Sequence, residues 1–455
     1  MSDIEEVLDD LRDRGLYRRL RMVSGPQGPR VLLDGDPVLL LCSNNYLGLA
    51  DHPRVREAAA DAAMRWGVGS GASRLVSGNM TVHRRLEEQL AAFKGSSACV
   101  LFGSGYLANA GVISTLAGAG DVVFSDELNH ASIVDGCRLA HAETFVYDHA
   151  DPEHLEWGLR EAGGRGALIV TDGVFSMDGD IAPLEQIVEL AQRYDARVMV
   201  DEAHSTGAVG PGGRGAVADA GLEHEVDVVV GTLGKSLGSY GAYVCCDKPM
   251  AKYLVNTART LIFSTALPPP AVAGAMAALE LLREQPGRVD KLARNADAMR
   301  AALVAEGLDV GESETQILPV VVGNAGDAMD ACERALAQGV FCQAIRPPTV
   351  PDGSSRLRIT VMASHTKSEL RWAAGVLARA LRGGSEPSRG ERPTLRRSAA
   401  VPAPDAAPAP EPVGASASAS ASAAAVADGA DAAPGVGPAP PRRRSRVFDH
   451  LADAA

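Results

Sequence analysis

Val226-Asp227-Val228-Val229-Val230 runs directly into Gly231-Thr232-Leu233-Gly234-Lys235-Ser236, a turn that carries one lysine between small residues. The β-branched run predicts a buried strand, so Lys235 is delivered to a strand end. Lysine becomes a nucleophile only when its amine is partly neutral, which burial or a nearby positive charge achieves. The flanking glycines predict close approach of a bulky ligand to the backbone. Two other readings compete. A surface lysine in a Gly-rich turn is the common case. A phosphate loop of the Gly-x-x-x-x-Gly-Lys-Ser/Thr type needs glycine where this chain has Val229. Asp201-Glu202-Ala203-His204, which resembles a helicase box, also precedes the loop instead of following it, so the nucleotidase reading is rejected.

Outward from this stretch, residues 98–102, 122–124, 167–170 and 197–200 read as further strands with helical patterns between them. Alternation of that kind predicts an α/β fold whose mostly parallel sheet carries helices on both faces. Ligands of such sheets gather at the carboxyl ends of the strands. Residues 126–130, Ser176, 201–204 and 232–235 all fall just past such ends, which points to one shared site. Gly103-Ser104-Gly105-Tyr106 lies between a strand and a helix start, where unpaired amides and the helix dipole favour an anion.

The length of 455 residues allows two or three domains. We expect an N-terminal helix and hairpin segment at 1–45, with the helix over 1 to about 20 and the hairpin turning at Asp34-Gly35-Asp36-Pro37. A large domain at 46–283 and a smaller C-terminal α/β domain at 284–382 follow. Residues 383–455 form an Ala/Pro/Ser-rich tail with almost no large apolar side chains, and disorder is expected over 385–440. A net charge of −13 and only short Arg-rich segments argue against nucleic acid as a partner. The acidic N-terminus lacks the apolar core of a secretory signal, and no apolar run approaches membrane-spanning length. Seven cysteines without metal-ligand spacing read as buried thiols in a reducing cytoplasm, with no metal.

A lysine, a carboxylate past a neighbouring strand, a glycine turn suited to phosphate and several histidines together fit pyridoxal 5′-phosphate. In that reading Lys235 holds the cofactor covalently and Asp201 keeps the ring nitrogen protonated. His130 has the shape to stack on a flat ring, and Ser176 and Thr232 are candidate donors. The bland alternatives are helix or turn capping for Asp201, Ser176 and Thr232, and an ordinary satisfied polar side chain for His130.

Residues 16–381 closely resemble the α-oxoamine synthases, fold-type I pyridoxal-phosphate enzymes that condense an amino acid with an acyl thioester. The matching segments are Ser43-Asn44-Asn45-Tyr46-Leu47-Gly48-Leu49, Asn129-His130-Ala131-Ser132, Asp172-Gly173-Val174-Phe175-Ser176-Met177-Asp178-Gly179, Asp201-Glu202-Ala203-His204 and Thr232-Leu233-Gly234-Lys235. The resemblance implies Lys235, His130 and Asp201 as catalytic. It places Gly105, Tyr106, Ser176, His204 and Thr232 around the cofactor, with Ser264 and Thr265 reaching the phosphate from the neighbouring protomer of a homodimer. Asn44 and Arg358 match positions that grip the amino-acid carboxylate; Arg358 in a strand otherwise reads as a surface charge. Thr349 and Arg18, with Arg19 or Arg21 as substitutes for the latter, match substrate-contact positions, Thr349 being set for the distal carboxylate of the acyl chain. The segment Ala344-Ile345-Arg346-Pro347-Pro348-Thr349-Val350-Pro351 implies L-alanine and a pimeloyl thioester, carried by coenzyme A or by acyl carrier protein. The runner-up is glycine with acetyl-CoA, and a silent homologue acting as a scaffold through its tail is the alternative of another class.

Overall fold

The structure, a computed structural model, describes residues 3–383; Met1, Ser2 and the tail expected beyond Gly383 lie outside the described residues. The N-terminal helix is shorter than expected. It spans Ile4–Asp13, buries none of its residues and ends before Gly15, which takes φ of 65°. The hairpin forms as expected. Strands Val23–Ser24 (β1), Arg30–Leu33 (β2) and Asp36–Leu40 (β3) pair antiparallel in sequence, with Asp34 and Gly35 both at positive φ in the turn.

Seven strands build the main sheet: Ala98–Phe102 (β4), Val122–Asp126 (β5), Glu143–Tyr147 (β6), Ala167–Asp172 (β7), Arg197–Asp201 (β8), Val228–Thr232 (β9) and Ala242–Cys246 (β10), in the order β4-β10-β9-β8-β7-β5-β6. Pairings from β6 through β9 are parallel, as the alternation of strands and helices requires. Only β10 runs against its two neighbours. The connection 233–241 is too short for the crossover that a parallel pair needs, so β10 must return antiparallel. Strand interiors such as Val123, Phe124, Ile169, Val170, Val200 and Val230 are fully buried, as a sheet covered on both faces demands.

Register then builds the site. Asp172 is the direct partner of Asp201 across β7 and β8, and Asp201 is the partner of Val230 on β9. Two carboxylates and the lysine turn therefore meet at the carboxyl ends of three central strands of the sheet. Beneath them Glu202 is fully buried and pairs with Lys94, whose ammonium also donates to Thr206 Oγ1 at 2.9 Å and to the Arg214 carbonyl at 2.5 Å. Removing one partner of such a buried pair strands the other charge. Lys94→Met is thus expected to cost about 3–5 kcal/mol, read as a lower denaturant midpoint at unchanged slope.

The last strands are Ile317–Gly323 (β11), Val340–Phe341 (β12), Gln343–Ile345 (β13) and Ser355–Thr360 (β14). The order β11-β14-β13 gives a small antiparallel sheet, while β12 pairs in parallel with β3 of the hairpin. Side chains two apart on a strand share a face, so Arg356 and Arg358 of β14 point the same way. They reach one loop: Arg356 pairs with Asp178, and Arg358 Nε donates to the Ser176 carbonyl at 2.5 Å. Among the described residues no helix is long and apolar enough to cross a membrane. All seven cysteines are free, six of them buried.

Candidate active site

The turn after β9 is held by its own backbone. Leu233 N–H donates to the Gly241 carbonyl, Ser239 N–H to that of Leu233, and Gly238 N–H to that of Lys235. Gly231 is glycine for a different reason from the ligand approach expected of it: a Cβ there would lie 2.2 Å from the Tyr243 ring. Gly238, at φ 58°, passes the backbone of Ala50 equally closely. The Lys235 side-chain amine makes no hydrogen bond among the described residues. Burial lowers its pKa below the usual lysine value, against the opposite pull of Asp201 and Asp172, with Arg358 lowering it further. Its amine is therefore the group in the site best prepared to act as a nucleophile.

Asp201 is 4% exposed and receives two donors, Asn109 Nδ2 at 2.6 Å and the Ala203 amide at 2.8 Å. Asn109 sits in the helix Gly105–Leu116, and its amide nitrogen also donates to Ser132 Oγ at 2.9 Å. Ser132 N–H and Oγ both approach His130 Nδ1, at 3.2 and 2.7 Å. An amide can only donate, so Nδ1 carries the lone pair and His130 presents N–H at Nε2. Burial lowers the His130 pKa; Asp201 raises it and Lys235 lowers it again. The residue as a whole still reaches solvent, so His130 is accessible from outside the sheet.

Asp172 accepts the His130 backbone amide at 2.8 Å. Burial, then the charge of Asp201 alongside, raises its carboxyl well above the usual range. The two neighbouring carboxyls therefore differ: Asp172 tends to hold its proton, while both oxygens of Asp201 are engaged as acceptors.

A second chain of contacts joins the small sheet. Arg358 terminal nitrogens lie 3.4 and 3.5 Å from Asn44 Oδ1, so that oxygen faces donors. Tyr46 O–H donates to the same oxygen at 3.1 Å and meets His204 Nδ1 at 2.7 Å. With its proton directed to Asn44, the Tyr46 oxygen accepts from His204, which leaves Nε2 of His204 as an acceptor. Burial, then the charges of Lys235, Arg358 and His130, holds the His204 pKa well below the ordinary value, so it is neutral at pH 7. Arg358, buried yet only loosely bound by Asn44, keeps guanidinium donors for a carboxylate.

At the other side, Ser104 caps the helix Gly105–Leu116 by accepting from Leu107 N–H at 3.2 Å. The amides of Gly105 and Tyr106 have no acceptor among the described residues. A Cβ added at Gly105 would meet nothing within 4 Å, so this end is open to an incoming group. Tyr106 itself is 47% exposed and donates to Asp135 at 2.6 Å. Thr232 is engaged in its turn, donating to the Gly241 carbonyl and accepting from Gly234 N–H. Ser264 and Thr265 line a small cavity with Gly103 and Arg74 of the same chain.

The acyl-contact candidates come from opposite chain ends. Arg346, 7% exposed, donates to the Gly15 carbonyl and so ties the 346–351 turn to the N-terminal segment. Thr349 is exposed in that turn, its amide bonded to the Arg346 carbonyl at 3.1 Å. Burial lowers the Arg346 pKa, and Arg18 lowers it further, which places the two cations near each other. Arg21 is engaged with Glu333 and Asp34, leaving Arg18 and Arg19 as the exposed arginines of the segment without an ion pair among the described residues.

Asn109, Ser132, Asp172 and Tyr46 belong to the site although no function was read from them in sequence. Asn109 carried the one available signal: an asparagine inside an apolar helix is disfavoured unless its side chain finds partners. Pyridoxal 5′-phosphate fits the donor set. An unpaired low-pKa amine, a carboxylate fixed as acceptor and open helix-end amides match its aldehyde, ring nitrogen and phosphate. Asn109 Oδ1, buried without a partner, faces the same region.

A family model, "Aminotransferase class I and II", matches residues 36–377. An 8-amino-7-oxononanoate synthase of Citrifermentans bemidjiense is 53% identical over 380 residues, covering 83% of this chain and 97% of the relative. One of Geobacter sulfurreducens is 53% identical, covering 82% and 96%. Among solved structures, a serine palmitoyltransferase of S. paucimobilis with bound PLP superposes with a TM-score of 0.80 at 33% identity, covering 84% of this chain and 97% of that one. An 8-amino-7-oxononanoate synthase of Francisella tularensis gives a TM-score of 0.67 at 26% identity, covering 76% and 98%.

Proposed function

Since the chain belongs to the class I and II aminotransferase family, and within it to the α-oxoamine synthases, we propose that it is a pyridoxal-phosphate-dependent 8-amino-7-oxononanoate synthase. It condenses L-alanine with a pimeloyl thioester and releases carbon dioxide and the free thiol. The observation that carries this reading is identity of about half over nearly the whole length of relatives bearing that name, joined to an intact Lys235, Asp201 and His130.

Pyridoxal 5′-phosphate supplies an aldehyde for capture of an amine and an electron-accepting ring. Lys235, its amine shifted toward the neutral form, would hold the cofactor and would serve as the base for the alanine Cα proton. Asp201, aimed by Asn109 and Ala203, would hold the proton of the ring nitrogen. His130, with its N–H at Nε2, and neutral His204, with its lone pair at Nε2, would flank the cofactor. The amides of Gly105 and Tyr106 would receive the phosphate. Arg358, set by the Ser176 carbonyl and Asn44, binds the alanine carboxylate, and Thr349 with Arg18 serves the far carboxylate of the acyl chain.

A homodimer is part of the reading. Met64, Val68, Val76 and Phe263 are each more than two-thirds exposed, and Phe263 directly precedes Ser264 and Thr265. Free, mostly buried thiols suit a reducing cytoplasm. Coenzyme A and acyl carrier protein are both admitted as carriers of the pimeloyl group.

The deciding experiment offers alanine, glycine and serine against pimeloyl and acetyl thioesters and identifies products by mass. Alanine with the pimeloyl donor should be fastest; faster use of glycine with acetyl-CoA overturns the assignment. Arg358→Gln should raise the alanine KM roughly 10–150-fold, as loss of a charge-assisted hydrogen bond worth about 1.5–3 kcal/mol implies, with little change in kcat. An unchanged alanine KM would place the carboxylate elsewhere.

A further inference from the structure

His149 bridges two strand-end loops that the mechanism above does not connect. Its Nδ1 lies 3.0 Å from Asp126 Oδ1 and its Nε2 lies 2.9 Å from Asp180 Oδ2. Neutral imidazole has one N–H and one lone pair, so it satisfies one carboxylate and repels a second. Two carboxylate partners require both nitrogens to be protonated. Asp126 is 2% exposed, and its two oxygens also accept from the amides of Leu128 and Ala150, so one jaw of the bridge is rigid.

The other jaw belongs to the loop that reaches the amino-acid site. Asp180 closes the loop that begins at Asp172 and carries Ser176. Phe175, next to Ser176, meets the His149 ring edge-on with centroids 4.4 Å apart. The Ser176 carbonyl in turn receives Arg358 Nε at 2.5 Å. A displacement at His149 is thus passed through Phe175 and Asp180 to the carbonyl that aims the guanidinium.

We propose that His149, as a cation held between Asp126 and Asp180, is the positioning residue that fixes this loop so that Arg358 meets the carboxylate of the amino-acid substrate. This rests on the role given to Arg358 above, though not on which amino acid is used. The groups around His149 agree with a cation. Glu127 accepts its backbone amide, and Asp178, Asp309, Glu312 and Glu314 line the adjoining cavity, Asp178 being paired with Arg356. Burial works to lower the His149 pKa, yet Asp126 and Asp180 together raise it to about 10. A raised histidine stabilises the fold fully below its unfolded value and loses that contribution as pH rises through the folded one. The window runs from about 6.5 to about 10.

The test compares holoenzyme with His149→Gln, Asp180→Asn and the double variant, using whichever amino acid the parent turns over fastest. Each single change should raise the amino-acid KM about tenfold, with the thioester KM and kcat within about twofold, and the double should be no worse than either single. The melting-temperature gap between parent and His149→Gln should shrink as pH rises from 7 to about 10. An unchanged amino-acid KM, equal rises for both substrates, or additive singles would overturn the positioning role. A gap independent of pH would overturn the cation. Should His149→Gln fail to fold, Asp180→Asn alone carries the KM comparison. If the split appears with an amino acid other than alanine, the substrate assignment fails while the role of His149 stands.

Discussion

Lys235→Ala is expected to lower turnover by more than about 10⁴-fold, because a positioned acid–base group contributes roughly 10²–10⁴ and the covalent role adds to it. The variant should nevertheless fold. The Lys235 side chain makes no hydrogen bond among the described residues, and the turn it sits in is held by backbone bonds of Leu233, Gly238 and Ser239, which the truncation leaves in place. A truncation that breaks no contact of that kind should shift the melting temperature by no more than about 2–4 °C. Steady-state rates, a thermal melt and the absorbance of bound cofactor check the three parts separately. Retained condensation would end the assignment, and a collapsed melt would show that the amine packs against the core in a way its lack of partners does not suggest.

Much of the sheet was legible because buried parallel strands announce themselves as β-branched runs, and each run ended just before a chemically marked residue. Strands β6 and β10 were not read from the sequence, and the antiparallel return of β10 follows from the connection 233–241, which is too short for a crossover. The helix expected to residue 20 stops at Asp13, where spacing of apolar residues continues but Gly15 leaves the right-handed region. Site residues read from strand ends lie together, whereas those that hold them do not stand out in sequence. Asn109 reaches Asp201 across 92 residues, and Arg358 reaches Ser176 across 182. Such partners are fixed by register and helix packing, which no local window contains. Arg358, a surface charge by pattern alone, is buried because its strand faces the loop 172–180 and not water.

Asp201→Asn is expected to bind cofactor and lose about 10²–10³-fold in kcat, the usual cost of removing one preorganised electrostatic group from a reacting centre. The contacts explain why the amide is a poor replacement. One oxygen of Asp201 accepts from Asn109 Nδ2 and the other from Ala203 N–H. An asparagine has one acceptor, so its NH₂ must face one of these donors, and it has no negative charge to hold a proton on the ring nitrogen. The control is Asp172→Asn, a change of the same chemistry at the register partner. Asp172 is pushed by burial, and then by Asp201 itself, toward its protonated form, and the oxygen that accepts the His130 amide survives in asparagine. Its loss should stay under about tenfold, in line with one altered neutral hydrogen bond. Measured side by side near pH 7, the two variants separate the roles of two carboxyls that are register partners on adjacent strands. Equal losses would mean that Asp172 shares the task of Asp201, and a mild Asp201→Asn with a severe Asp172→Asn would exchange their roles.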